Sequence, residues 1–207
     1  DNSQSSNTTG SFNTTIGQGA DVGPFNLTNA TAIGHGAIVD ASNKVRIGNS
    51  AVTVIEGQAP FTSPSDGRFK FNIREDVKGL DFILRLRPIT YQFDVKRFDT
   101  FLQPEDYSSN ANKSNDIIEA SYKEASSIRR TGFIAQEVEK AADAISYNFS
   151  GIIKPKTKKE HYSLSYESFV VPLVKAVQEQ QQMINEQDKK IGLLLQEIDE
   201  LRKLIIH

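Results

Sequence analysis

Ser65-Asp66-Gly67-Arg68-Phe69-Lys70, running into Asn72-Ile73 and then Val77-Lys78-Gly79-Leu80, divides two unlike lengths of chain. Before it, residues 1–60 carry only six charged side chains, Asp1, Asp21, Asp40, Lys44, Arg46 and Glu56, among Asn, Thr, Ser, Gly and Ala. After it the sequence is charged and mixed. The approach, Gly57 to Gly67, holds Pro60, Ser63, Pro64 and Ser65 and reads as a loop. Asp66-Gly67 is a turn signal. On a straight strand Ser65 and Lys70 would face opposite ways, and on a helix they would stand about 140° apart. A turn at Asp66-Gly67 would instead fold the Lys70 amine back onto the Ser65 hydroxyl. A serine hydroxyl is a weak nucleophile that needs a base, and a lysine is a base only when neutral, which burial favours. One reading therefore has Lys70 in an apolar pocket walled by Phe69 or Phe71. The other has Ser65 capping a turn and Lys70 in water. The spacing is compatible with both.

Working upstream, the first 60 residues repeat. Asn13-Thr-Thr-Ile-Gly-Gln-Gly-Ala-Asp-Val aligns with Asn29-Ala-Thr-Ala-Ile-Gly-His-Gly-Ala-Ile-Val, and Lys44-Val-Arg-Ile-Gly-Asn-Ser-Ala-Val is a worn third copy. The Ile-Gly pairs fall at 16–17, 33–34 and 47–48, spacings of 17 and 14. Each copy offers a short β-branched strand, a glycine turn and a small apolar residue. One such unit cannot bury its own face, so units stack, as in a β-solenoid. The chain opens in mid-pattern, as expected of a piece of a longer fibre.

Downstream, Asp76 is placed to cap a helix whose apolar face is Val77, Leu80, Ile83, Leu84 and Leu86, stopped by Pro88. Ile89, Tyr91 and Phe93 alternate with polar residues and predict a strand with one buried face. Residues 98–128, with Pro104, Asn110 and Asn112, read as a surface excursion. It holds one short helix near 116–125, docked by Ile117, Ile118 and Tyr122. Arg130 to Ile134 predicts a second strand, and Ala135 to Ala142 a helix. Gly132 admits two readings: close backbone approach that helps build an oxyanion hole, or a bulge or tight packing point. Gln136 and Glu137 could orient a Ser–Lys pair or simply cap their helix. Lys154, Lys156, Lys158 and Lys159 read as a solvated hairpin or loop.

From 165 onward the period becomes seven. Val170, Val177, Ile184, Ile191, Ile198 and Ile205 recur at one position, with Leu173, Gln180, Gln187, Leu194 and Leu201 three later. That is a coiled-coil pattern. A β-branched residue followed by leucine favours parallel dimers, but a wider trimeric core can hold the glutamines. The seam expected to join copies is Val177, Ile184, Gln187, Ile191, Leu194, Ile198 and Leu201.

The totals exclude several classes. With 24 basic against 26 acidic residues, no nucleic acid or anionic membrane surface is expected as partner. No cysteine means no disulfide or thiolate chemistry. No apolar run approaches the ~20 residues of a membrane span, and residue 1 begins no signal peptide. His35, His161 and His207 are too scattered for a metal site, and no cofactor is expected.

Two resemblances give these features a meaning. The copies at residues 10–55 resemble the head repeats of trimeric autotransporter adhesins, which implies a trimeric β-roll. Ser65 to Lys70, Asn72-Ile73, Gly79-Leu80, Leu86-Arg87-Pro88, Tyr91 and Gly132-Phe133-Ile134-Ala135-Gln136-Glu137-Val138 resemble the C-terminal intramolecular chaperone of endosialidases and phage tail fibres, also found in the myelin regulatory factor. That resemblance, over about 65–190, implies a homotrimer whose folding client is its own upstream chain. It also implies a Ser–Lys dyad, with Ser65 as nucleophile, Lys70 as general base and Pro64–Ser65 as scissile bond. The fold expected is mixed: a β-roll or β-solenoid stalk at 1–57, a linker at 58–64 ending at the cut, an α+β chaperone body at 65–164 and a parallel coiled coil at 165–207. The setting implied is a virion tail fibre or a cell surface.

Overall fold

The computed structural model describes residues 3–103 and 116–205, with the side chains of 116 and 117 left out. In chain order its elements begin with five short strands: β1 (Thr14–Ile16), β2 (Asp21–Val22), β3 (Thr31–Ile33), β4 (Ile38–Val39) and β5 (Val45–Ile47). A 3-10 turn at Gly67–Phe69 precedes α1 (Leu80–Ile83), β6 (Ile89–Gln92), α2 (Val95–Leu102) and α3 (Asp116–Ser127). Then come β7 (Arg129–Gly132), α4 (Ala135–Asp143), β8 (Ile152–Ile153), β9 (Ser163–Leu164) and α5 (Val170–Ile205). The fold is mixed α and β with a long C-terminal helix. It divides into two compact units.

The first unit joins residues 1–64, 88–132 and 154–161. Its repeats stack in parallel. β1, β3 and β5 form one sheet in the register Ile16↔Ile33↔Ile47, and β2 pairs with β4, Val22 opposite Val39. The register follows the 17- and 14-residue spacings of the sequence. Small residues make the interior: Ala20, Ala30, Ala32, Ala37, Val22 and Val39 are fully buried. Burying each valine contributes about 1.5 kcal/mol. The isoleucines of the Ile-Gly pairs point the other way. Ile16, Ile33 and Ile47 are exposed, one above another. Gly17 sits at φ 128°, and a Cβ there would lie 2.6 Å from the Gly34 carbonyl oxygen. The turns can therefore stack closely only with glycine. Phe12, Asn29 and Asn43, each four residues before a repeat isoleucine, share a left-handed backbone, φ 55–58°.

β6 and β7 pair antiparallel in the same unit, Ile89 opposite Gly132 and Gln92 opposite Arg129. A helix the sequence reading missed, α2, begins before the stretch read as a polar excursion and runs into it. Asp94 caps α2 by accepting the Arg97 N–H at 3.0 Å, and Val95 and Leu102 are buried. Tyr122 of α3 donates to Asp99 of α2 at 2.8 Å. Pro104, Asn110, Asn112, His207 and the Ile117 side chain lie outside the described residues.

The second unit joins residues 65–87, 133–153 and 162–207. Its core is aromatic. Phe82 is fully buried, with ring centroids 4.9 Å from Phe149 and 5.2 Å from Tyr147. Phe169 meets Phe149 edge-on at 4.7 Å, and Val138, Ala141 and Ala142 of α4 close the cluster. The expected helix from Asp76 is corrected here. α1 is a single turn, Asp76 does not cap it, and Leu84 is exposed while Phe82 takes the centre. The cause is Gly79. Its backbone lies so close to α5 that a Cβ would be 2.5 Å from Glu179 Oε2 and 2.7 Å from the Ala176 nitrogen. The first helical N–H, of Leu80, then donates to Glu179 at 2.8 Å. β8 and β9 pair antiparallel around the lysine-bearing loop.

α5 runs for 36 residues. Its first turns pack inward through Pro172 and Ala176. Val177, Ile184, Gln187, Ile191, Leu194, Ile198 and Leu201 are exposed along the single chain. Among the described residues, no helix is long and apolar enough to cross a membrane.

Candidate functional site

The stretch around Ser65 folds locally, by turn chemistry alone. Asp66 caps the 3-10 turn, its carboxylate accepting the Arg68 N–H at 2.9 Å. The N–H of Phe69 donates to the Asp66 carbonyl, and that of Lys70 to the Gly67 carbonyl at 3.2 Å. This winding brings Lys70 Nζ to 2.7 Å from Ser65 Oγ, where the amine donates a hydrogen bond. The Arg68 guanidinium donates to Asp66 Oδ2 at 2.6 and 2.9 Å and to Oδ1 at 3.1 Å. The hydrogen bonds from Arg68 hold the Asp66 carboxyl below its ordinary range, and Asp66 in turn raises Arg68. Arg68 thus satisfies Asp66 and leaves Lys70 to the serine.

The expected pocket is corrected. Ser65 and Lys70 are exposed, and Phe69 and Phe71 stand 79% and 91% exposed instead of walling the amine. Ile73 is exposed as well. The reason is composition: the extended stretch from Val52 to Asp76 has no small interior residues to stack and makes only the one tight turn.

Gly132 ends β7 opposite Ile89, in the unit that does not contain Ser65. Gln136 is exposed on α4. Glu137 neither caps α4 nor orients the serine. Arg87 holds its carboxylate through two hydrogen bonds, at 2.5 and 3.0 Å. That pairing depresses the Glu137 carboxyl and raises Arg87. Two sequence motifs fifty residues apart, one ending in Arg87-Pro88 and the other containing Gln136-Glu137, therefore meet through one bidentate ion pair. Their opposite charges were the only available signal. A second tie went unread: the Tyr166 hydroxyl accepts the Phe133 N–H at 3.1 Å.

The second unit thus carries a hydrogen-bonded Ser65–Lys70 pair on a tight turn, a small aromatic core and a long helix. Residues 65–147 match the family model for the chaperone of endosialidase, a family also named as a peptidase. The match begins at Ser65 itself. Comparison with curated proteins and with solved structures found no match.

Proposed function

We propose that this protein is an intramolecular chaperone that trimerises through α5, aligns three copies of its upstream repeats as a β-roll, and then frees them by cutting itself before Ser65. The observation that carries the chemistry is the 2.7 Å hydrogen bond between Lys70 Nζ and Ser65 Oγ, at the residue where the family match begins. Neutral Lys70 takes the hydroxyl proton as Ser65 Oγ attacks the Pro64 carbonyl carbon. The Pro64–Ser65 C–N bond breaks, the proton passes to the Ser65 nitrogen, and Pro64 is left as an ester on Oγ. Water opens the ester to a Pro64 carboxylate and a free Ser65 hydroxyl. Each chain does this once, so no substrate pocket is required.

Assembly supplies what the single chain lacks. The proton transfer needs a lysine amine in its neutral form, which desolvation favours. Phe69, Phe71 and Ile73 are apolar and uncovered, so packing against a neighbouring copy would desolvate the amine and switch on the cut. The exposed heptad face of α5 would hold the three chains at roughly millimolar local concentration. Register matters, because non-local β pairing folds slowly and aggregates readily. After the cut, the fibre would persist by its unfolding barrier. The setting this supports is a virion tail fibre or a cell surface.

The exposure of Lys70 favours a second reading, a passive trimeric foot without proteolysis. Intact mass of the freshly made chain beside Ser65→Ala and Lys70→Ala separates the two. Fragments meeting at Pro64/Ser65 in the parent, with both variants whole, are expected. A parent that remains a whole trimer through prolonged incubation overturns self-cleavage and leaves the foot.

A further inference from the structure

The first compact unit lies on both sides of the bond that the proposed cut would break. It contains residues 1–64 together with 88–132 and 154–161. We propose that the chaperone body clasps the last turn of the repeat stack through Phe98, Asp99 and His161 against Arg46, Ser50 and Asp40. This clasp, and not the peptide bond at 64/65, then sets when the two pieces part. The inference rests on the reading of Ser65 as the cutting residue only for how the chain is opened.

The two buried acids of the stack make the case. Asp21 is satisfied from within the stack, by the Ser5 hydroxyl at 2.8 Å and the Ser6 and Val22 N–H groups. Asp40 is equally buried, and Lys44 takes only its Oδ1, at 2.7 Å. Among the described residues Asp40 Oδ2 and His161 Nδ1 have no other partner, and they face each other at 3.0 Å. A proton on Nδ1 satisfies both atoms, so a buried carboxylate of the stack is completed by a side chain from the far side of the cut. His161 is fixed in turn by Phe98, whose ring meets it edge-on at 4.8 Å. The Arg46 guanidinium lies over that same ring, 5.5 Å from its centroid. Ser50 donates to Asp99 at 2.5 Å, and Asp99 also accepts from Tyr122. Arg46 stands in the field of both Asp40 and Asp99. Breaking one peptide bond removes none of these contacts. Interfaces of hydrogen-bonded, desolvated charges dissociate slowly, and truncating one partner acts mainly on the off-rate.

The test opens the chain by two routes. One is the chain's own cut. The other is a site-specific protease sequence placed in the exposed 57–63 stretch of a Ser65→Ala chain, which severs it whether or not Ser65 acts. Gel filtration under native conditions, followed by denaturing analysis of each peak, reads whether the pieces travel together. The pieces of the parent are expected to co-elute. With His161→Asn or Asp99→Ala, the cut itself is expected to proceed as before, but the pieces separate about tenfold faster or more. Prompt separation of the parent pieces, or co-elution unchanged in both variants, overturns the clasp. Should the chain not cut itself, the dyad reading fails and the protease-opened form still decides the clasp. Ser50→Cys with Asp99→Cys gives an independent arm in this cysteine-free chain. A disulfide joining the pieces after opening supports the contact, and its failure to form in the folded, oxidised chain refutes it.

Discussion

The last turn of the repeat stack and the stretch around Ser65 lie within thirty residues of each other and are built on opposite terms. Asp40 is buried, and its two oxygens are held by Lys44 and His161. Ser65 and Lys70 make an equally short hydrogen bond with nothing around it, and their apolar neighbours face water. The first site has its environment and keeps its charge. The second has its geometry and lacks the environment its chemistry needs. A turn of six residues can place two side chains, but lowering a lysine's proton affinity takes many atoms of desolvating material. On the proposed reading of Ser65 and Lys70 as a dyad, sequence-local folding supplies the positioning, and assembly would have to supply the activation.

The largest effects should come from breaking that second site. Lys70→Arg preserves charge and reach, but a guanidinium does not deprotonate. Cutting should fall by roughly a thousandfold, read as the fraction of whole chain over time by mass spectrometry. Retained cutting would show that the amine serves only as a donor. Ile191→Asp with Ile198→Asp should next separate the copies while leaving the Ser65–Lys70 turn intact. Light scattering should report a monomer, and cutting should slow by about a hundredfold as Lys70 stays in water. A monomer that cuts at the parent's rate would refute activation by a neighbouring copy.

Substitution of apolar residues sharpens the contrast further. In a Ser65→Ala chain, Val39→Ala should cost about 2 kcal/mol, because the fully buried valine leaves a cavity among tightly stacked turns. Phe71→Ala, at 91% exposure, should change a monomer's stability by no more than about 0.5 kcal/mol. In an otherwise cutting-competent trimer, the same Phe71→Ala change should slow the cut. Denaturant melts and cleavage time courses check the two halves of this prediction.

The two regions also differed in how far the sequence could be read. The Ile-Gly spacings give the parallel register of the stack directly, because each turn repeats its own backbone solution. Which face was buried could not be read that way. Isoleucine is the more apolar residue, yet alanines fill the interior, since a narrow coil has room only for small side chains. Asp66-Gly67 announced the turn that brings Lys70 to Ser65. The pocket inferred from Phe69 and Phe71 failed because proximity in sequence says nothing of burial. α2 was hidden by the alternation of Ile89, Tyr91 and Phe93, which drew the strand pattern across Asp94, the residue that caps the helix. The Glu179 bond to Leu80 and the His161 bond to Asp40 join residues roughly a hundred positions apart. No local pattern encodes such partners.

The smallest predicted effect concerns that last contact. Burial alone would raise the Asp40 carboxyl, but the hydrogen bond from His161, and then the hydrogen bond and charge of Lys44, outweigh it and hold it at about 2 against an ordinary 3.8. A depressed carboxyl stabilises the fold above its unfolded value and loses that contribution as pH falls through its folded one. The stack should therefore keep this contribution down to about pH 4 and lose roughly 2 kcal/mol of it toward pH 2. Other carboxylates titrate in the same window, so the measurement is a difference. Urea midpoints of the uncut Ser65→Ala chain at pH 5 and pH 2 are compared with those of the same chain carrying Asp40→Asn. The acid shift should shrink in the asparagine variant, and His161→Asn should shrink it in part, because Lys44 still holds Oδ1. If His161→Asn leaves the shift whole, Lys44 alone holds the carboxylate down, and the histidine contributes packing without charge.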